Sequence, residues 1–464
     1  MTTLSEQQDK GKALRKDVPR SSHGEWSPAA DRPDPIQLLQ AQDGGRLQHL
    51  LPIKYGRMVA SPFAFLRGTA VVMAADLAQT PVTGMNVILC GDAHLSNFGV
   101  FASPERKLVF DINDFDEAYP GPWEWDIKRL AASAVVAGRE NGFKEKTCRN
   151  MAVVIARTYA FAMKMFSEVN TLDMWYYHVD ADALLRVFEE DASKMGSKKA
   201  SKMVEKARGR TQERTLAKIT EIVDGRRRIV SDPPLLVPFR EDILIQITGD
   251  EDSPLFVRKT IEDAWRQYVN SLPDERRFLL QRYHIIDVAL RVGGVGSVGT
   301  RCSIILLEGN GPDDALILQV KEAGPSALES YVGARGYSQH AKRVVVGQRL
   351  IQTTSDIFLG WHRSATNEID YYWRQLKDMK GSADVEDMDA PTLETYLKLC
   401  SWTLARAHAR TGDEAIISGY LGKGKRFAES LAEFAVTYAD QTERDHKALV
   451  EAIQSGRITA KTGI

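Results

Sequence analysis

The chain has 464 residues, 43% of them hydrophobic and 27% charged, with a formal net charge of −1. That is enough for two or three domains with a full core, and a charge near zero supplies no field that would argue for nucleic acid or a membrane surface as partner. Four widely spaced cysteines (Cys90, Cys148, Cys302, Cys400) form neither a C-x-x-C pair nor a disulfide framework, and no Cys/His metal cluster is present, which points to a reducing, cytoplasmic setting. The N-terminus lacks the apolar stretch of an export signal, and no run of about 18 apolar residues exists to span a bilayer.

In chain order, residues 1–34 are polar with scattered Pro, Ser and Asp, and read as a flexible arm. From Ile36 to Leu51 apolar residues recur at helical spacing, and Gly68–Leu77 reads as a helix feeding a short strand at Met85–Cys90. Lys107–Ile112 reads as a second strand, with the turn SPER between the two. Long amphipathic helices are predicted over Asp126–Gly138 and Lys144–Val169. The Lys- and Arg-rich stretch 194–228 reads as a solvated helical face with interspersed Glu, with a basic face for an anionic substrate as the alternative. Pro233 and Pro234 mark a crossing between lobes, and Glu262–Val292 reads as mainly helix broken near Pro273.

Between the first two strands lies CGDAHLSNFGV, which holds Asp92 and Asn97 in the spacing D-x-x-x-x-N, and INDFDEA follows with Asp114 and Asp116. Phosphoryl transfer from ATP needs a carboxylate to orient the attacking hydroxyl, an amide oxygen for one Mg²⁺, and a second carboxylate on the metal. This stretch supplies all three: Asp92 as the catalytic acid/base group, Asn97 and Asp114 on Mg²⁺, and Asp116 assisting at the metal.

A glycine-rich segment comes about two hundred residues later. Gly294, Gly296, Ser297 and Gly299 form GVGSVG, followed by the apolar run CSIILL and the strand LILQVK ending at Lys321. Glycines let backbone amides approach phosphate oxygens, and a Lys on a following strand can neutralise the α and β phosphates. Gln339–Thr354 then suits a helix beside the phosphates. It offers Gln348 and no acid to orient the Lys, leaving Glu329 or Glu322 as the candidate partner. Ile369–Leu376 alternates as a strand, and Gln375–Lys380 would be the hinge against adenine. Thr392–His408 is helical and ends in ARAHARTGD, where His408, Arg410 and Asp413 either contact an anion or serve the helix end. Arg57 and Arg67 in GRMVASPFAFLRG could likewise grip an anion or pair with structural carboxylates. Phe427–Glu451 closes the chain as amphipathic helix.

These motifs resemble the protein kinase-like superfamily, closest to its aminoglycoside and choline kinase branch, where the catalytic loop reads H-G-D-x-x-x-x-N and the metal segment I-D-F/W-x-x-A. Cys90 stands here in place of the His, and His94 lies inside the loop. Trp125–Ala131 (WDIKRLA) looks like the helix start whose Asp buttresses the catalytic loop in that branch, which makes Asp126 structural. The order of parts is the kinase order circularly permuted. Over nearly its full length the chain also resembles an uncharacterised bacterial family, domain of unknown function 2252, through RMVASPFAFLRG, GDAHLSNFG, DINDFDEAYPGPWEWDIKRL, GVGSVGTR, LQVKEA, GQRLIQTTSD and LARAHARTGD.

The resemblance implies an α+β, two-lobed, circularly permuted kinase-like fold: an arm (1–34), a helical catalytic lobe (35–285), a β-rich nucleotide lobe (286–382) and C-terminal helices packing back on the helical lobe (383–464). It implies a Mg-ATP-dependent phosphotransferase acting on a small-molecule hydroxyl. A nucleotide-binding pseudokinase and an AMP transferase are the competing expectations.

Overall fold

The computed structural model describes residues 2–210, 212–240, 253–333, 336–376 and 379–463. It is a mixed α+β protein whose two largest cores, among the described residues, lie in different bodies. The larger is helical: Trp123–Glu140, Glu145–Glu168, Ala390–Ala409 and Lys425–Gln454 bury their apolar stripes against one another, and Trp123 stacks on Tyr159 with ring centroids 5.5 Å apart. C-terminal helices therefore complete the same core as the segment that follows the acidic loop.

The smaller core lies under a six-stranded antiparallel sheet. Its strands run in the order Gly360–Arg363, Asp370–Gln375, Ala315–Ala323, Cys302–Glu308, His284–Arg291, Leu236–Pro238. Helix Ser253–Asn270 covers one face, and Tyr268 stacks on Trp373 at 4.3 Å. Leu318 of the central strand, Ile305, Leu307 and Val288 fill the layer between them. The central strand is buried along almost its whole length, and its run ALILQV has the continuous apolar character that a strand covered on both faces needs.

Four expectations change. The 1–34 arm is docked: Leu4–Ala13 is a helix with a Thr3/Glu6 capping box, and at Gly11 a Cβ would fall 2.0 Å from the Ile416 carbonyl oxygen, so glycine alone permits that approach. Arg32 then reaches Asp76 and Asp445 at 2.7 and 2.6 Å. The helix expected to run to Val292 ends at Leu280, and His284–Arg291 is a strand whose β-branched and apolar residues pair with Ser303–Glu308. The apolar periodicity of 36–51 is interrupted after Asp43, where Gly44 caps a shorter helix. Residues 220–238 and the helices to Leu280 belong with the sheet-bearing body and not with the helical lobe, because strand Leu236–Pro238 forms the edge of the six-stranded sheet.

Other elements match their expectations within a few residues: Ala70–Leu77, Asn86–Leu89, Leu108–Ile112, His340–Ile351 and Asp370–Gln375. The stretch 194–228 includes a largely solvated helix over Lys194–Arg208 and a hairpin, Thr220–Val223 with Arg226–Ile229. No helix among the described residues is long and apolar enough to cross a membrane. The expected hinge, Gln375–Lys380, falls partly outside the described residues, at positions 377 and 378.

Candidate functional site

The acidic loop is held from below by a buried chain of polar groups. Gly91 has φ +81, and a Cβ there would lie 2.3 Å from the Glu117 carbonyl oxygen, so the turn before Asp92 requires glycine. The backbone N–H groups of Cys90 and Gly91 donate to the two carboxylate oxygens of Asp126 at 2.8 and 3.0 Å. His408 Nε2 lies 3.2 Å from Asp126, and His408 Nδ1 lies 2.7 Å from the Tyr159 hydroxyl. Asp126 is therefore a structural brace, and His408, fully buried, belongs to the same brace rather than to a ligand site.

Asp92 projects upward from this platform. One carboxylate oxygen accepts from Arg129 Nε at 2.5 Å, and the other faces His94 Nε2 at 3.6 Å. Arg129 sits three residues after Asp126, hence on the same face of the same helix. Asn97 donates its Nδ2 to the Asp92 carbonyl at 2.7 Å, which leaves its Oδ1 as an acceptor at the cavity. The Asn97 carbonyl in turn accepts from Asn113 N at 2.8 Å, and Phe98–Ala102 pairs with Leu108–Ile112. This hairpin is what delivers Asp114 beside Asn97.

Across from the acids stands the sheet. Lys321 Nζ is 2.5 Å from Asp116 Oδ2 and 4.0 Å from Asp114 Oδ1, and the Tyr372 hydroxyl donates to Asp116 Oδ1 at 2.5 Å. Tyr372 faces Lys321 directly in the strand register. The partner of the lysine is thus Asp116, with neither Glu329 nor Glu322 in that role. Glu322 accepts from Arg301 at 3.0 Å, and Glu329 faces His340 at 4.0 Å. Both oxygens of Asp116 are engaged, so beside the metal role expected of it the aspartate orients the lysine. The His340–Ile351 helix, where the acid was missing, contributes Arg343, which is buried and donates to the carbonyls of Ala118, Asp116 and Gly324 at 2.6, 2.9 and 2.9 Å.

Asp92, Asn97, Asp114, Asp116, Gly294, Gly296, Ser297 and Lys321 all line one cavity of about 600 Å³. A Cβ at Gly294 would meet no atom within 4 Å, and at Gly296 none closer than 3.8 Å, so packing alone does not demand glycine at either position. Gly299 is different. It is buried with φ +89, its carbonyl accepts from Leu47 N at 2.7 Å, and it lies outside the lining, so its expected phosphate contact is replaced by a turn role. Arg46 donates to the Gly296 and Val298 carbonyls at 2.9 and 2.6 Å, and Arg57 to Gly293 at 2.5 Å. Asp413 caps the Glu414–Leu421 helix, and Arg410 stacks on Trp175 at 3.8 Å, so neither faces the cavity.

The field at the sheet end is strongly positive. Arg291, Lys321, Arg374 and Lys380 line it together. Burial works to raise the Asp114 carboxyl, but Lys321, Arg374 and Lys380 prevail and hold it at about 2. Burial and the neighbouring Arg374 pull Lys380 down to about 7 despite Asp114. Lys321 is pushed the other way: burial opposes its charge, yet Asp114 and Asp116 keep it well above the usual range. Cys90, just before Gly91, is fully buried, and burial with Asp126 and Asp92 nearby raises its thiol, so it stays protonated.

Among the described residues no group of three His, Cys, Asp or Glu side chains is arranged to hold a metal. Mg²⁺ asks for less, since it keeps several waters and is bound by one or two protein oxygens plus phosphate oxygens. Asp114, 41% exposed, and the Asn97 Oδ1 fit that requirement.

Sequence reasoning missed Arg129, Tyr372, Arg374 and Lys380. Helical spacing from Asp126 could have found Arg129. Tyr372 and Arg374 needed the strand register, which no local pattern reveals.

Neither a curated protein nor a solved structure matches the chain. A family model, described as an uncharacterized protein conserved in bacteria (DUF2252), matches residues 46–452, which takes in the acidic loop, the glycine segment and the whole cavity lining. The chain belongs to that bacterial family, DUF2252.

Proposed function

We propose that the cavity binds Mg·ATP and transfers a phosphoryl group to a small hydroxyl compound, on a circularly permuted kinase-like fold. One observation carries this reading: Asp92, Asn97 and Asp114 on one side face Lys321 and the open glycines on the other across a single cavity. The order glycine turn, hairpin, lysine strand and long helix is the order of a kinase-type nucleotide lobe. Asp92 would take the hydroxyl proton through the oxygen not held by Arg129. Asn97 and Asp114 would hold Mg²⁺, which when bound neutralises charge on the β and γ oxygens. Gly294, Gly296 and Ser297 would cover the phosphates, and Lys321, fixed by Asp116, would neutralise the α and β oxygens. A cytoplasmic setting is part of the same reading.

The absent helix acid does not favour a pseudokinase, since Asp116 supplies the acid from the other lobe. Transfer of AMP is a second reading with its own observation. Arg291, Arg374 and Lys380 line the same cavity, and Arg374 Nε donates at 3.0 Å to Gln319 on the strand that carries Lys321. Cations in excess of the one lysine suit a nucleotide seated the other way round, with its phosphates on these side chains.

Thermal shift tests the binding step. Mg·ATP should raise the melting temperature of the wild type and shift Lys321→Ala far less, with no shift for ATP in excess EDTA. Equal shifts in the two proteins would reject the assignment.

A further inference from the structure

Four arginines surround the glycine segment and the acidic loop from the N-terminal helices and the brace helix: Arg46, Arg57, Arg67 and Arg129. Three are spent inside the protein. Arg46 and Arg57 donate to carbonyls of the glycine segment, and Arg129 to Asp92 and the Leu66 carbonyl. Arg67 is the exception: among the described residues its side chain makes no hydrogen bond or ion pair, and its Nε is buried without a partner. Of these four, it alone lines the cavity.

Its position follows from the turn it ends. Arg67 is the last residue of helix Pro62–Arg67, whose Ser61 cap and Pro62 fix the start. Its carbonyl lies 3.8 Å from where a Gly296 Cβ would stand, so the helix ends directly beneath the glycine segment. On its other side is His94, fully buried and unpartnered at Nδ1, which stands 3.6 Å from Asp92. Burial favours the neutral His94 imidazole, and against Asp92 both Arg129 and Arg67 push the same way. Arg67 therefore lines the cavity in the interval that the glycine segment, His94 and Asp92 also border. A buried guanidinium nitrogen without an acceptor is costly, and an anion entering that interval would remove the cost.

We infer that Arg67 is a catalytic arginine supplied in cis, which binds the equatorial oxygens of the phosphoryl group as it passes from nucleotide to acceptor. The inference rests on the phosphotransferase reading. In the step, the bond from the γ-phosphorus to the β,γ-bridging oxygen breaks and ADP leaves with the electron pair. The bond from phosphorus to the acceptor oxygen forms, and the acceptor proton passes to Asp92. Arg67 exchanges no proton; its planar fork neutralises charge that peaks midway. The chain order makes this supply possible, because a helix placed just before the acidic loop runs under the glycine segment.

The test uses the full chain with Mg²⁺, ADP and aluminium fluoride, a mimic of the transferring group. Wild type should retain ADP and fluoroaluminate together through gel filtration. Arg67→Ala should bind Mg·ADP within a few-fold of wild type yet lose fluoroaluminate trapping at least tenfold, and Arg67→Lys, which keeps the charge without the fork, should trap weakly. If Arg67→Ala does not fold, Arg67→Lys and Arg67→Gln carry the same comparison. Trapping by the variants equal to wild type would overturn the role of Arg67 while leaving the phosphotransferase reading intact. A wild type that binds Mg·ADP but traps nothing would overturn the inference, and one that binds no Mg·ADP would overturn both.

Discussion

Lys321 and Asp116 meet at 2.5 Å across the cleft, the lysine from the central strand of the sheet and the aspartate from the loop after the acidic hairpin. The contact ties the two bodies together at the point where a nucleotide would lie. It also replaces the acid that the neighbouring helix does not provide. Asp116→Asn should therefore weaken Mg·ATP binding in the same direction as Lys321→Ala, and the double variant should lose less than the sum. Calorimetric titration of the four proteins should give a coupling of roughly 0.5–3 kcal/mol, as for residues in direct contact. Additive losses would mean that the contact has no part in binding.

Asp92 and Asp114 should separate by phenotype. Asp92→Asn keeps the shape of the loop and removes the proposed proton acceptor, so turnover should fall by the ~10²- to 10⁴-fold typical of a lost general base with Mg·ATP binding preserved. Asp114→Asn removes the proposed metal ligand and the counter-charge of Lys321, Arg374 and Lys380. Both Mg-dependent binding and turnover should suffer. Steady-state rates beside binding titrations read the difference.

The brace under the loop predicts a stability effect. Asp126→Ala leaves the Cys90 and Gly91 N–H groups and His408 without their acceptor in a buried site, where unsatisfied donors cost ~1–3 kcal/mol each. The urea midpoint should drop clearly, with turnover falling in parallel. A midpoint equal to wild type would remove Asp126 from the structural role assigned to it.

Acid should destabilise the fold through its buried imidazoles. Burial, with Lys128 nearby, holds His23 at about 3; burial, helped by Arg129 and Arg67 against Asp92, holds His94 at about 4; and burial alone holds His362 at about 4. In the unfolded chain each titrates near ~6.5, so below that pH the unfolded state binds more protons and gains relative to the folded one. Stability from these groups is complete above pH ~6.5 and is lost progressively toward pH ~4. The melting temperature should fall from pH 7 to pH 5, and His362→Gln, outside the cavity, should flatten that fall. A fall from pH 7 to pH 5 as steep in His362→Gln as in wild type would contradict the placement of that ring.

Much of the site was legible in the chain because it is local. Asp92, Asn97 and Asp114 lie within one hairpin, and Gly294, Gly296, Ser297 and Lys321 within the next local unit, so spacing alone groups them. What was not legible depends on contacts across the chain. Asp116 reads as a metal ligand by proximity to Asp114, and its contact with Lys321 from 205 residues away shows only in the fold. Gly299 fits the glycine pattern yet turns the backbone toward Leu47. The N-terminal residues looked loose because their polar side chains make long-range bonds, Arg15 to Tyr420 and Arg32 to Asp445, that composition does not display. The strand at His284–Arg291 was hidden in a stretch whose periodicity suits a helix as well, and its edge pairing with Leu236–Pro238 decides the matter.

The most direct measurement is the fate of label from ATP carrying ³²P at the α or the γ position, incubated with the protein, Mg²⁺ and a panel of small hydroxyl compounds. The account predicts that γ-label moves to acceptor or water while α-label stays in ADP, and that Asp92→Asn nearly abolishes the transfer. Label moving from the α position with release of pyrophosphate, or γ-transfer undiminished in Asp92→Asn, would contradict it.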